Sequence, residues 1–135
     1  MSPAGLTTVA SQRGTKATAD ALAQAIEAHG LTVFARVDHA AGAAAVGMAL
    51  RPTELLIFGN AKGGTPLMQE VQTIGIDLPL KFLVFEDAAG KTWIAYNDPD
   101  WIAARHSVTG AAGPIGAMST ALATLARAVG ETPSA

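Results

Sequence analysis

The fold is decided by the stretch LKFLVFEDAAGKTWIAYN at residues 80–97. Apolar, aromatic and β-branched residues fill two runs, 80–86 and 91–97, and this composition is typical of strands. The residues between the runs, Asp87-Ala88-Ala89-Gly90, form a four-residue loop that ends in glycine, and such loops join antiparallel strands. The segment therefore predicts an antiparallel β-hairpin.

Upstream of the hairpin, three shorter apolar runs alternate with helical patterns. Strands are predicted at 6–10, 31–37 and 54–58, and helices at 15–29 and 39–49 connect them. Helical crossovers favour parallel strands, whereas the hairpin is antiparallel. We therefore expect an α+β fold with a mixed sheet of about five strands and helices packed on the sheet. An open α/β sheet is the alternative.

The chain after the hairpin predicts two further helices. Asp98 and Pro99 supply the cap and the first position of a short helix that extends to about Arg105. A longer helix is predicted over 115–129. Because no linker or internal repeat divides the sequence, residues 1–135 are predicted to form a single domain.

Composition limits the classes of function that the chain can have. Of its 135 residues, 50% are hydrophobic and 15% are charged, and the formal net charge is −2. The basic residues form no stripe that could neutralise a run of phosphates, so we expect no nucleic-acid partner. The absence of cysteine excludes thiol catalysis, disulfides and cysteine-ligated zinc. With neither a membrane-spanning run nor a secretory signal, the sequence predicts a cytoplasmic protein without a membrane partner.

The segment FGNAKGGTP, residues 58–66, is the best candidate for a ligand site. It predicts a glycine-rich loop between a buried strand and a helix that starts at Thr65-Pro66, and backbone N–H groups at a helix start favour an anion. It departs from the phosphate-loop pattern G-x-x-x-x-G-K-[ST], because Thr65 and Pro66 replace its last two residues. A tight turn without a ligand is the alternative. The predicted ligand-binding residues are Asn60, Lys62, Gly63, Gly64, Thr65 and Asn97.

Candidate catalytic residues are His39, Asp38 and Asp98. An imidazole beside a carboxylate can perform acid–base chemistry, although both aspartates are also explained as helix caps. The sequence contains no recognised enzyme motif, so it leaves open whether the chain is an enzyme. Its three histidines lack a chelating spacing, and we predict neither a metal nor a cofactor.

The candidate residues share a position relative to the predicted strands. Asp38, Asn60 and Asn97-Asp98 each follow the end of a strand. If at least two of these strands are parallel, their carboxyl ends lie at one edge of the sheet, where open α/β sheets place ligands. We therefore expect these residues to surround one site.

Several blocks of the sequence resemble the bacterial and archaeal family called domain of unknown function 302. The blocks are FARVDH at 34–39, LRPTELLIFGN at 50–60, GTPLM at 64–68, DLPLK at 77–81 and YNDP at 96–99. The resemblance covers about residues 6–106 and implies a compact α+β domain, often a homodimer, with no established activity. The family often has proline after Phe-Gly-Asn, where this chain has Ala61.

Three functions follow as hypotheses. The first is a homodimeric module that binds a small ligand or anion, with an anionic metabolite as partner. The second is an enzyme that uses His39 with Asp38 or Asp98. The third is a purely structural dimerisation domain, whose contact is a hairpin edge with an apolar face, such as Leu80–Phe85, or the alanine- and glycine-rich C-terminal helix.

Overall fold

The computed structural model describes residues 2–133; Met1, Ser134 and Ala135 of the predicted single domain lie outside the described residues. The predicted α+β class is confirmed. The elements are β1 (Leu6–Ser11), α1 (Thr15–Ala28), β2 (Thr32–Asp38), α2 (His39–Ala45), β3 (Thr53–Gly59), α3 (Ala61–Glu70), a 3-10 helix (Gln72–Ile76), β4 (Leu80–Glu86), β5 (Thr92–Asn97), α4 (Pro99–Arg105) and α5 (Ala112–Gly130).

The five strands form one sheet in the order β1-β5-β4-β3-β2. The predicted hairpin is confirmed, since β4 pairs with β5 and Val84 lies opposite Ile94. The predicted mixed pairing is wrong, because every neighbouring pair is antiparallel, and this also excludes the open α/β alternative. The reason is that α1 connects β1 and β2 across the whole width of the sheet, so these two strands form its opposite edges.

One face of the sheet carries the hydrophobic core. Phe82 stacks on Phe58, with ring centroids 4.9 Å apart, and meets Tyr96 edge-on at 5.8 Å. Helices α1 and α5 cover these rings with fully or almost fully buried side chains, among them Leu22, Ile26, Leu122 and Leu125. The helical layer therefore lies on this face of the sheet.

The opposite face of the sheet, here called the outer face, is also apolar. Successive side chains of a strand point to opposite faces, so the outer face carries the residues that alternate with the core. Its large members are Leu55, Ile57, Leu83, Phe85 and Trp93, all of them half-buried and outside the core cluster. Apolar side chains thus remain partly accessible on the side of the sheet away from the core.

Helix α3 begins four residues before the predicted start at Thr65. Asn60 is its N-cap, and the Asn60 Oδ1 atom accepts a hydrogen bond from the Gly63 backbone N–H at 2.7 Å. Residues 61–64 therefore form the first turn of a helix, and the predicted glycine-rich loop is corrected. Asparagine is among the most favourable N-cap residues, so its side chain outweighs the low helix propensity of the two glycines.

A side-chain cluster ties the 3-10 helix to the end of α4. The His106 Nε2 and Asp77 Oδ2 atoms are 2.5 Å apart, and the Arg105 Nη1 atom lies 2.7 Å from the same oxygen. The Thr73 hydroxyl lies 3.0 Å from His106 Nδ1. Partial burial of Asp77 acts to raise its pKa, but the hydrogen bond with His106 and the charge of Arg105 outweigh burial and hold the pKa below its usual value.

Gly130 allows the last turn of α5 to approach β1. A Cβ atom at this position would lie 2.6 Å from the backbone oxygen of Ala10, which cannot move aside freely. We expect Gly130→Ala to destabilise the fold by about 1–3 kcal/mol through overpacking. The matched control is Gly116→Ala in the same helix, where a Cβ would meet nothing within 4 Å. The control should stabilise the helix by about 1 kcal/mol. Urea unfolding measures both variants, and equal responses would contradict the packing argument.

Asp77 should make stability depend on acidity. Because its folded-state pKa is lowered, its contribution is present above the pKa of an unfolded aspartate, about 3.9, and is lost as the pH falls through the lower folded-state value. We expect Asp77→Asn to cost about 1–3 kcal/mol at neutral pH and to flatten this acid dependence. Urea unfolding measured from pH 6 downward checks both effects, with Glu27→Gln on α1 as control. An unchanged acid slope in the Asp77 variant would refute the assignment.

Candidate functional site

A cavity of about 870 Å³ opens where α3 and α5 meet one edge of the sheet, and we call it the α3–α5 cavity. Its volume is in the range of sites for small organic ligands. The lining comes from residues 59–65 and Met68 around α3, from residues 78–80, from Gly113, Pro114, Ala117, Met118 and Ala121 of α5, and from His29, Leu31 and Phe34.

Strand pairing brings these distant segments together. Phe58, near the end of β3, lies opposite Leu80, at the start of β4, and Thr32, at the start of β2, lies opposite Gly59. The segment that leaves β3 and the segments that enter β2 and β4 therefore share one edge of the sheet. A β-bulge between Val33 and Ala35 adds Phe34 to the lining, because bulges change the direction of a side chain.

The two glycines in the first turn of α3 differ in how closely they are surrounded. A Cβ atom on Gly63 would lie 3.2 Å from Asn60 Oδ1, the atom that caps the helix. A Cβ on Gly64 would lie 3.6 Å from the Met68 Cε atom and 3.7 Å from the Leu78 Cδ1 atom. Glycine at position 63 thus leaves room for the capping hydrogen bond, whereas alanine at position 64 would only make ordinary contacts with the cavity wall.

The electrostatic character of the cavity is positive. Lys62 and His29 are the ionisable residues among its described lining, which includes neither aspartate nor glutamate. Within residues 2–133, Lys62 forms no ion pair. The amino ends of α3 and α5 both reach the cavity, and a helix amino end carries partial positive charge. These features favour a negatively charged group.

Five of the six predicted ligand-binding residues line this cavity: Asn60, Lys62, Gly63, Gly64 and Thr65. The sixth, Asn97, is outside its lining. Asn97 ends β5, which is separated from β3 by β4. β3 and β5 finish at the same end of the sheet. At that end, the cavity lies beside β2, β3 and β4 and does not reach β5.

Asp98 lies beside a second, smaller cavity of about 440 Å³, whose lining also includes Tyr96 and Trp101. Asp98 occupies the predicted N-cap position of α4, with Pro99 as the first helical residue. Its side chain makes no capping hydrogen bond, because the Asp98 Oδ1 atom instead accepts a hydrogen bond from the Thr7 hydroxyl at 2.5 Å. Burial and the neighbouring Asp98 carboxylate raise the pKa of the Tyr96 phenol. Asp98 thus belongs to a different pocket from the predicted ligand residues.

Asp38 and His39 lie at the opposite edge of the sheet, so the expected single site around all the strand ends is wrong. Because β2 is antiparallel to β3, Asp38 pairs with Glu54 near the start of β3. The predicted capping role of Asp38 is confirmed, since its Oδ1 atom accepts from the Ala41 N–H at 2.9 Å. His39 is exposed, and Asp98 follows β5, at the end of the sheet opposite to Asp38. The arrangement does not assemble these three residues.

Sequence reasoning missed His29, Phe34 and the α5 wall. The signal available in the sequence was Phe34, a large apolar residue on the face of the predicted strand that also carries the polar residues Thr32 and Arg36. In the structure this side chain is 54% exposed. The α5 residues gave no signal, because alanine and methionine on a helix are equally typical of a core. Among residues 2–133, no group of three or more His, Asp or Glu side chains is placed to hold a metal ion.

Curated relatives from Brucella match 104 residues of this chain, or 77% of it, at 50% identity. One from Brucella suis is named fluoride-specific ion channel FluC 1, and the match covers 41% of that protein. A relative from Brucella melitensis, named fluoride-specific ion channel FluC 2, is covered over 38%. The chain thus spans about two-fifths of the length of these proteins. No helix within residues 2–133 has the length and apolar character that crossing a membrane requires.

The fold is similar to a solved structure from Bacillus stearothermophilus, an uncharacterized conserved protein DUF302. The TM-score is 0.84 at 18% identity, and the alignment covers 94% of this chain and 99% of the other. The family model described as domain of unknown function DUF302 matches residues 7–129. That match extends beyond residues 6–106, where the sequence blocks lie, and includes most of α5. The protein therefore belongs to the DUF302 family.

Proposed function

We propose that this protein is a binding module for a small anionic ligand, held in the α3–α5 cavity. The observation that carries the proposal is the charge of the cavity. The cavity has Lys62 and His29 as its ionisable lining and is reached by two helix amino ends, with no acidic residue in the described lining. Such an environment stabilises negative charge and disfavours a cation.

The backbone at the start of α3 supports the same ligand. The first N–H groups of a helix have no partner within the helix. In α3 the Gly63 N–H is occupied by Asn60 Oδ1, and the Gly64 N–H bonds the Asn60 carbonyl at 3.3 Å. The N–H groups of Ala61 and Lys62 precede this first bonded turn. We infer that they, together with the Lys62 ammonium, donate hydrogen bonds to the ligand.

The Brucella relatives suggest which anions to test first. They are named as fluoride-specific ion channels, and this chain corresponds to about two-fifths of each. Since the described helices here are unsuited to crossing a membrane, we infer a role for such a domain outside the membrane, beside a channel, rather than as a conduction path. Fluoride therefore belongs in the panel of anions alongside phosphate and acetate.

Removing the charge of Lys62 should weaken anion binding. We expect Lys62→Met to lower the affinity for the best anion about tenfold, since a hydrogen bond to a charged group contributes about 1.5–3 kcal/mol. Calorimetric titration with fluoride, phosphate and acetate measures this effect. The control is Lys16→Met, which removes an exposed lysine of α1 whose ion pair with Asp20 is long, at 3.7 Å. Equal affinities for the two variants, or no binding of any anion, would count against the proposal.

Self-association is a second candidate function, favoured by the outer face. Strands that carry apolar side chains on both faces are normally covered by other elements or chains on both faces. In β3, the buried Leu56 and Phe58 alternate with the half-buried Leu55 and Ile57. We propose that a second copy of the chain covers the outer face in a two-fold homodimer, in which its apolar side chains pack on their own copies. The face also carries two cations: Lys81 lies on it in β4, and the Lys91 Nζ atom lies 4.6 Å from the centre of the Trp93 ring. The dimer contact uses the face of the hairpin, through Leu83 and Phe85, and differs from pairing through a hairpin edge, because β4 and β5 lie inside the sheet.

A charge on the outer face should dissociate this dimer. We expect the native chain to sediment as a dimer at micromolar concentration and Leu83→Lys to sediment as a monomer with unchanged helical circular dichroism. The control is Gln24→Lys, which adds the same charge to an exposed position of α1, away from the outer face. A native chain that is monomeric, or a Leu83 variant that remains dimeric, would contradict the outer-face interface.

A further inference from the structure

We propose that the ligand of the α3–α5 cavity is an amphipathic anion: a carboxylate or similar acid joined to an unbranched apolar body of about eight carbons. This inference rests on the proposed function and specifies its ligand. A compact anion would interact with the charged end of the cavity and would leave the apolar walls uncovered. The volume of the cavity and the distribution of its apolar side chains require a ligand with a second, uncharged part.

The volume is much larger than an inorganic anion needs. A water molecule takes up about 30 Å³ in the liquid, so an open cavity of about 870 Å³ is many times larger than a small inorganic anion. Fluoride or phosphate would leave most of this space to water lying against apolar walls. Replacing that water with an apolar group is favourable in proportion to the apolar area covered.

The apolar wall extends away from the positive end. Gly113 lies at the amino end of α5, and the lining continues along the same helix through Ala117 to Ala121. The eight residue steps from Gly113 to Ala121 correspond to a wall about 12 Å long. An acid group held at the amino ends of α3 and α5 would therefore direct its apolar body along α5.

The remaining walls suit an apolar body of variable shape. Met68 and Met118 face the cavity from α3 and α5, and unbranched methionine side chains adapt to irregular partners. Phe34 lines the cavity from the edge strand and remains 54% exposed. An apolar ligand would bury part of this ring, which the chain itself leaves open to water. The charge of Lys62 and the apolar surface of Phe34 thus fit the two parts of one ligand.

The experiment is a calorimetric titration of the full chain with acetate, butanoate, hexanoate and octanoate, and with 1-octanol and octylamine. Each methylene group should raise the affinity about fourfold, so octanoate, with two more methylenes, should bind roughly fifteenfold more tightly than hexanoate. Octanol should bind at least tenfold more weakly than octanoate, and octylamine more weakly still. Affinity that does not rise with chain length would overturn the inference.

Two variants assign the parts of the ligand to the parts of the cavity. Ala121→Leu fills the α5 wall, so it should reduce octanoate affinity about tenfold while leaving acetate affinity unchanged. Its control is Ala128→Leu, an exposed position of the same helix outside the lining, which should leave both affinities unchanged. Lys62→Met should weaken acetate and octanoate by the same factor. If Ala121→Leu leaves octanoate binding intact, the apolar body does not lie along α5 and the assignment is refuted.

Failure of this inference is distinguishable from failure of the proposed function. If acetate or phosphate binds in a Lys62-dependent manner but longer chains bring no gain, the cavity is an anion site and only the amphipathic ligand is refuted. If octanol and octanoate bind equally, the apolar part of the inference holds but anion recognition fails. If none of the probes binds, both proposals are overturned.

Discussion

The antiparallel direction of neighbouring strands is the constraint on which the site depends. Because β3 and β4 run in opposite directions, the end of one lies beside the start of the other, with Phe58 opposite Leu80. The segment leaving β3 and the segment entering β4 therefore share an edge although the chain separates them by about twenty residues. The 3-10 helix that links them is held to α4 through Asp77 and His106, so the cluster also supports the 78–80 wall of the cavity.

Asn60 fixes where α3 begins and so places a helix amino end and Lys62 at this end of the sheet. Its side chain starts α3 directly after the strand, and the turn that contains Lys62 becomes the amino end of a helix. The ammonium group and the partial charge of the helix then act in the same direction, at the edge where α5 also begins. A loop of the same sequence could point its N–H groups in several directions. The helix fixes them, and pre-organised donors lose less entropy when a ligand binds.

Structure that depends on residues close together in the sequence was predicted correctly. The wrong predictions concern residues that are far apart in the sequence. The hairpin and the Asp38 cap depend on residues within a few positions of one another, and both were predicted. The position of Asp38 relative to Asn60 depends on the direction of β2 against β3, which no nearby residue encodes. His29 was missed for the same reason, since only the start of β2 beside Gly59 brings the end of α1 to the cavity. The pattern of strands and helices already predicted the α+β class, and the family resemblance implied the same class but no residue roles.

Strand β3 relates the two proposed activities to each other. Leu56 and Phe58 face the core, Leu55 and Ile57 face the other side, and the cavity begins where the strand ends at Gly59. A change on the outer face alters residues that do not line the cavity, so self-association and ligand binding use separate surfaces. Two strands connect these surfaces directly. Gly59 of β3 and Leu80 of β4 line the cavity, and the same strands carry the outer-face residues Leu55, Ile57, Leu83 and Phe85. A shift of either strand would therefore act on both surfaces.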